Sequence, residues 1–167
     1  GGLRQPPGAA GVGLSRLPQS GLVPGRVEAW GPFRFVNLDD AAPPLAHFLG
    51  SIPDEVKPFG IDGLQRCQHV AYDIACNWKV YVDNYLEGYH VPHIHPELNR
   101  MLDYLSYATE LARWHSLQWS PLESAGDLYG NGDALDYWIW PNTMLNILPV
   151  RVPPNRVLPL DDGRRRV

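Results

Sequence analysis

The stretch NWKVYVDNYLEGYHVPHIHPEL (77–98) places Trp78, Val82, Tyr85 and Tyr89 at spacings of four, three and four, the period of an amphipathic helix. Asn77 suits an N-cap, because its side-chain oxygen can accept from the first free backbone N–H groups. The pattern predicts a helix over 77–91 that ends or kinks at Pro92, whose ring disfavours helical geometry in the residue before it. Residues 84–98 hold three histidines and two glutamates within fifteen positions. Glu87 and His90, three apart, would share one helical face. His95 lies five beyond His90, about 140° around an unbroken helix, so a bend at Pro92 is needed to bring it back. Two imidazoles and a carboxylate that leave open metal positions suit non-haem Fe(II), and the same ligands suit zinc. The plain alternative is histidines that cap carbonyls or face water. His93 is expected to be supporting or exposed, and the isolated His47, His69 and His115 to be structural.

Around this segment the pattern is mostly that of strands. VEAWGPFRFVNLD (27–39) is rich in Val, Phe and Trp and broken by Gly-Pro, which predicts two short strands. PPLAHFLG offers a short helix, with Pro at its start and Gly after its last apolar residue. LQRCQHVAYDIA (64–75) alternates as a strand with Val70, Tyr72 and Ile74 on one face. A polar stretch follows the histidines. DALDYWIWPNTMLNILPVRV and NRVLPLDD then read as strands with Pro-containing breaks. The chain is therefore expected to be α+β with antiparallel sheet.

Composition narrows the classes. The 167 residues are 44% hydrophobic and 11% aromatic, enough for a packed core. A net charge of −4 gives nucleic acid no electrostatic attraction. No run approaches the length of a membrane span, and the first residues do not read as a signal peptide. Two cysteines, Cys67 and Cys76, are too few for a disulfide framework and fit a reducing compartment such as the cytoplasm. Both ends look cut: GGLRQPPGAAGVG lacks periodicity, and RVLPLDDGRRRV reads as a strand, a turn and the start of a returning strand. The arginines there are expected to be a solvated strand end.

Residues 77–98 closely resemble the iron-binding helix of Rieske-type non-haem iron oxygenases, the alpha subunits of ring-hydroxylating dioxygenases and their monooxygenase relatives. Asn77, Trp78, Lys79, Asn84, Tyr85, Glu87, Tyr89, His90 and His95 carry the match. The Asp-Asn-Tyr-Leu-Glu wording leans toward the choline, carnitine and betaine branch. The resemblance implies His90 and His95 as ligands of a mononuclear Fe(II). It implies Glu87 as a bridging acid that passes electrons from the Rieske cluster of a neighbouring subunit. The implied fold is a partial helix-grip, an antiparallel sheet around a long helix. Residues 1–38 would be a Rieske-domain remnant and 39–167 the first part of the catalytic domain.

The implied partners are a ferredoxin or flavin reductase, a homotrimeric parent, O2 and a small organic substrate that is hydroxylated or demethylated. Stromal placement follows if the parent is a plant choline monooxygenase. Tyr85, Tyr89, Trp138 and Trp140 are candidates for the substrate pocket, with ordinary core roles as the competing reading. A [2Fe–2S] cluster of this kind needs Cys-x-His and Cys-x-x-His pairs. Cys67 and His69 mimic the first, but Cys76 has no partnering histidine, so the cluster ligands are expected before residue 1. The third iron ligand, an Asp, is expected beyond Val167. Asp127, Asp133, Asp136, Asp161 and Asp162 lack matching context, and the last two read as turn residues. The chain alone is not expected to turn over. The rivals are an aromatic-ring cis-dihydroxylating dioxygenase subunit, a non-enzymatic helix-grip ligand-binding domain, and a zinc hydrolase.

Overall fold

The computed structural model describes residues 22–122 and 130–167, which divide into a unit ending at Pro44 and a unit spanning Leu45–Val167. GGLRQPP lies outside the described residues. In the first unit, β1 (Arg26–Trp30) and β2 (Phe33–Asn37) form the expected antiparallel hairpin. Gly31, at φ 50°, supplies the left-handed residue of its tight turn.

The second unit opens with α1 (Leu45–Leu49), as expected, and α2 (Ile52–Glu55), which the sequence reading did not anticipate. The extended segment 64–75 departs from expectation. Only β3 (Asp73–Ile74) is laddered, while Val70 and Tyr72 are exposed. Tyr72 instead exchanges backbone hydrogen bonds with Val167, at 2.8 and 2.9 Å.

The helix of the opening motif, α3 (Trp78–Tyr85), is shorter than its pattern. Asn77 caps it as expected, accepting from the Lys79 N–H at 2.9 Å. It ends at Leu86 rather than at Pro92, which sits in the first turn of a new helix, α4 (Val91–Ile94). Beyond that end the backbone passes close to Tyr107, and a Cβ at Gly88 would come within 2.8 Å of its ring. Pro92 lies in the first turn of α4, where its missing N–H has no cost. Next comes α5 (Pro96–Met101).

A five-stranded antiparallel sheet follows, with neighbours in chain order: β4 (Ala108–Leu111), β5 (His115–Leu122), β6 (Gly132–Ile139), β7 (Thr143–Ile147) and β8 (Pro154–Arg156). Antiparallel β9 (Leu158–Asp161) and β10 (Arg164–Arg166) close on β3 in a smaller sheet. Helix α3 lies on one face of the larger sheet through Val82, Trp138, Met144 and Val157, each burial worth about 1.5–3 kcal/mol. On the other face the Tyr137 hydroxyl donates to Glu55, so both faces carry contacts.

The arginine run is not the solvated strand end expected of it. Arg165 is 2% exposed, donates to the Cys76 carbonyl at 2.6 Å and to the Cys76 sulfur, and lies over the Tyr81 ring. Its neighbours pair with Asp161 and Asp73. Arg165 thus ties the last described strand to the start of α3. Asp161 accepts from the Gly163 N–H at 2.9 Å, the turn role read from sequence. Arg165→Met should strip the Cys76 carbonyl of its donor and cost about 2–3 kcal/mol. Asn77→Ala should cost about 1 kcal/mol through the lost cap. Urea denaturation of the two variants measures both.

Candidate functional site

The break after α3 gathers the polar residues of the motif. Glu87 accepts from the His90 backbone N–H at 3.2 Å and its other carboxylate oxygen meets His90 Nδ1. Asn84 places its amide 3.0 Å from His90 Nε2. With the acid on Nδ1, the ring carries its proton there and leaves the Nε2 lone pair facing Asn84. The His95 ring stands 5.1 Å from that of His90, centroid to centroid, at 78°. Imidazoles that share one cation at about 2.1 Å have centroids on the order of 5 Å apart, and the pair stands at that spacing. Among the described residues no group of three or more His, Cys, Asp and Glu is gathered as a metal site. The motif therefore offers two imidazole donors with an acid engaged on one of them. His93 is exposed, and Tyr89 is 82% exposed.

Glu87 is held by its bonds. Burial pushes its carboxyl up, but the hydrogen bonds from the His90 ring and backbone outweigh this and hold it below the usual glutamate range.

The sheet positions this turn. Gln118, Asp136 and Asn146 are register partners on β5, β6 and β7 and form a polar row beneath the end of α3. The Tyr85 hydroxyl donates to Asn146 at 2.7 Å, and Gln118 donates to the Leu86 carbonyl at 3.1 Å. Asp136 lies between them, and desolvation pushes its carboxyl up to about 7. Burial also raises the Tyr85 and Tyr107 hydroxyls, with the Asp136 charge adding to both. Val91 and Leu98 pack with Ala134, two residues along β6, which seats α4 and α5 on the same face.

Beside this turn a pocket of about 340 Å³ is bounded by Leu86, Trp114, Gln118, Trp138 and Trp140. Trp138 is also core to the α3 interface, and Trp140 is half exposed. Tyr85 and Tyr89 are not among the lining residues. Asp133 is exposed, Asp161 and Asp162 occupy the β9–β10 turn, and Asp127 lies outside the described residues. His115 packs against Tyr137, His69 is exposed, and His47 meets Phe48. Cys67 and Cys76 are free thiols. Sequence reading did not single out Asn84, Tyr107, Gln118 or Asp136 for the site. Asn84, six before His90, lay within view in the motif. Gln118 and Asp136 are brought in by strand register, and Tyr107 by the turn before β4, which no local pattern carries.

A helix laid on an antiparallel sheet, with an acid-linked histidine pair at its end, defines a class that the comparisons identify. Residues 61–167 match the ring-hydroxylating alpha subunit (catalytic domain) family, and the chain belongs to it. It is 32% identical to the chloroplastic choline monooxygenase of Arabidopsis thaliana, over 95% of this chain and 41% of that protein. It is 30% identical to the carnitine monooxygenase oxygenase subunit of Escherichia coli (strain K12), over 78% of this chain and 37% of that one. A solved quaternary ammonium Rieske monooxygenase shares the fold, with TM-score 0.73 and 24% identity over 86% of this chain and 41% of that chain. These relatives are enzymes, and this chain spans about two-fifths of their length. No helix among the described residues is long and apolar enough to cross a membrane.

Two outcomes test the site's construction. The Asp136 carboxyl is raised in the fold from its ordinary value near 3.8, so the native state binds the extra proton. Its stabilising contribution is full below about pH 4 and is lost as pH rises through about 7. Asp136→Asn should flatten that fall and gain up to about 4 kcal/mol over the parent at pH 8, read from urea unfolding across pH. Gly88→Ala should cost about 1–3 kcal/mol by pressing on Tyr107, seen as a lower unfolding midpoint.

Proposed function

We propose that the chain carries part of a mononuclear Fe(II) site of a Rieske-type oxygenase acting on a small quaternary ammonium compound. The observation that carries this reading is the His90–His95 pair, two rings 5.1 Å apart with an acid on the far nitrogen of the first. His90 would bind through Nε2, the nitrogen now facing Asn84, and His95 would supply the second imidazole. The remaining ligand is expected to be an Asp beyond Val167. Iron held there would supply oxygen activation, fed by electrons from a [2Fe–2S] cluster.

Glu87 would orient the His90 ring and hold its proton on Nδ1. The same acid is our candidate for the bridge to the cluster of a neighbouring subunit, with residues 1–38 as a Rieske remnant and 39–167 as catalytic. The packing of α3 on the sheet supports a helix-grip arrangement. A ferredoxin or flavin reductase would supply electrons to a homotrimeric parent in a reducing compartment. The relatives' names favour hydroxylation or demethylation of an ammonium substrate over aromatic-ring dihydroxylation or ligand storage. Trp138 and Trp140 line the neighbouring pocket, and indole rings suit such a cation.

Proton NMR of the six histidines under substoichiometric Fe(II), without oxygen, tests the assignment. Broadening should fall first on His90 and His95 and should disappear from His95 in His90→Ala. Glu87→Gln should weaken binding about 10- to 100-fold. Equal broadening of all histidines, unchanged by His90→Ala, would abandon the iron reading.

A further inference from the structure

Among the described residues Arg165 is the bulkiest of the fully buried side chains, and it carries a fixed positive charge. Buried charges are ordinarily matched by a charge of opposite sign. Here none is supplied. Asp161 and Asp73 pair with Arg164 and Arg166, and among the described residues no carboxylate pairs with Arg165. Its Nη1 meets the Cys76 carbonyl, the Asn77 carbonyl at 3.4 Å and the Cys76 sulfur, while its Nε is buried with no partner. Of the groups that Nη1 meets, only the sulfur can take up negative charge.

Two further features act on Cys76. It directly precedes Asn77, the cap of α3, and so lies at the positive end of that helix. It is also partly exposed, so a small reagent can reach it while the guanidinium stays covered. Cys67 gives the contrast within the same chain: it is exposed, lies on the extended segment before β3, and has no buried guanidinium against its sulfur. A sulfur that attacks a peroxide carries negative charge as it does so, and cations and helix N-termini stabilise that charge. The sulfur bonds to one peroxide oxygen as the O–O bond breaks, and the other oxygen leaves with the thiol proton as water or an alcohol. The sulfur is thereby oxidised to a sulfenic acid and the peroxide reduced. The oxygen gained is an acceptor to which the guanidinium can donate.

We propose that Cys76 is a modification site for hydroperoxides, with Arg165 as the residue that activates its sulfur and holds the sulfenic oxygen. The site lies at the start of α3, at the opposite end from the histidine turn, and does not depend on the iron reading.

Treatment of the chain with hydrogen peroxide, trapping of sulfenic acid with dimedone and mass spectrometry of each cysteine peptide test the proposal. Cys76 should be trapped at least about tenfold faster than Cys67, the scale of one hydrogen bond to a charged group. In urea that unfolds the chain the two should react at similar rates, because the guanidinium no longer sits against the sulfur. Arg165→Gln should bring Cys76 down to the rate of Cys67, with near-ultraviolet circular dichroism reporting that the variant is folded. Should that variant not fold, the parent in urea supplies the same comparison. A smaller margin in the folded chain, a margin that persists in urea, or one that survives in folded Arg165→Gln would each overturn it.

Discussion

The site depends on how the last turn of α3 is anchored to the sheet. Tyr85 and Leu86 are held by Asn146 and Gln118, which face up from adjacent strands on either side of Asp136. These bonds use the hydroxyl of one residue and the carbonyl of the next, so they fix where the helix stops and in which direction the chain leaves it. Glu87 and His90 follow within four residues, too few to absorb a displacement of that end. A buried polar row on a sheet face costs solvation, and here it is offset by pairing with the helix terminus.

Beyond the anchor, steric exclusion shapes the turn. Tyr107 stands where a side chain at position 88 would have to be, so the backbone can pass there only as glycine. Glu87 and His90 then meet across a turn rather than along a helical face. The pairing expected from three-residue spacing is present, but its backbone is not helical. At the other end of α3, Asn77 and Arg165 settle the first turn, the arginine reaching back from the last described strand. Both ends of the helix are therefore positioned by residues distant in sequence.

The pocket follows from the same placement. Leu86 is both the residue whose carbonyl Gln118 holds and part of the pocket wall, so the histidine turn and the pocket share one structural element. Trp138 serves twice, packing under Val82 and presenting its indole to the pocket. A substitution there would disturb fold and pocket together.

Short-range chemistry was legible in the sequence. The Asn77 cap, the β1–β2 hairpin, α1 and the Asp-Gly turn rest on local rules of capping, β-propensity and turn formation, and they appear in the structure. The motif from Asn77 to His95 was also enough to indicate the family. The strand β5 was not legible, because Ser116, Gln118 and Ser120 are polar yet buried alongside Leu117. The 64–75 segment misled for the converse reason: it alternates, yet finds partners only at its end. Where α3 stops, that Arg165 is buried, and that burial raises the Asp136 carboxyl were decided by tertiary structure alone. Each results from contact between residues tens of positions apart, and such contacts exist only once strand register has brought them together.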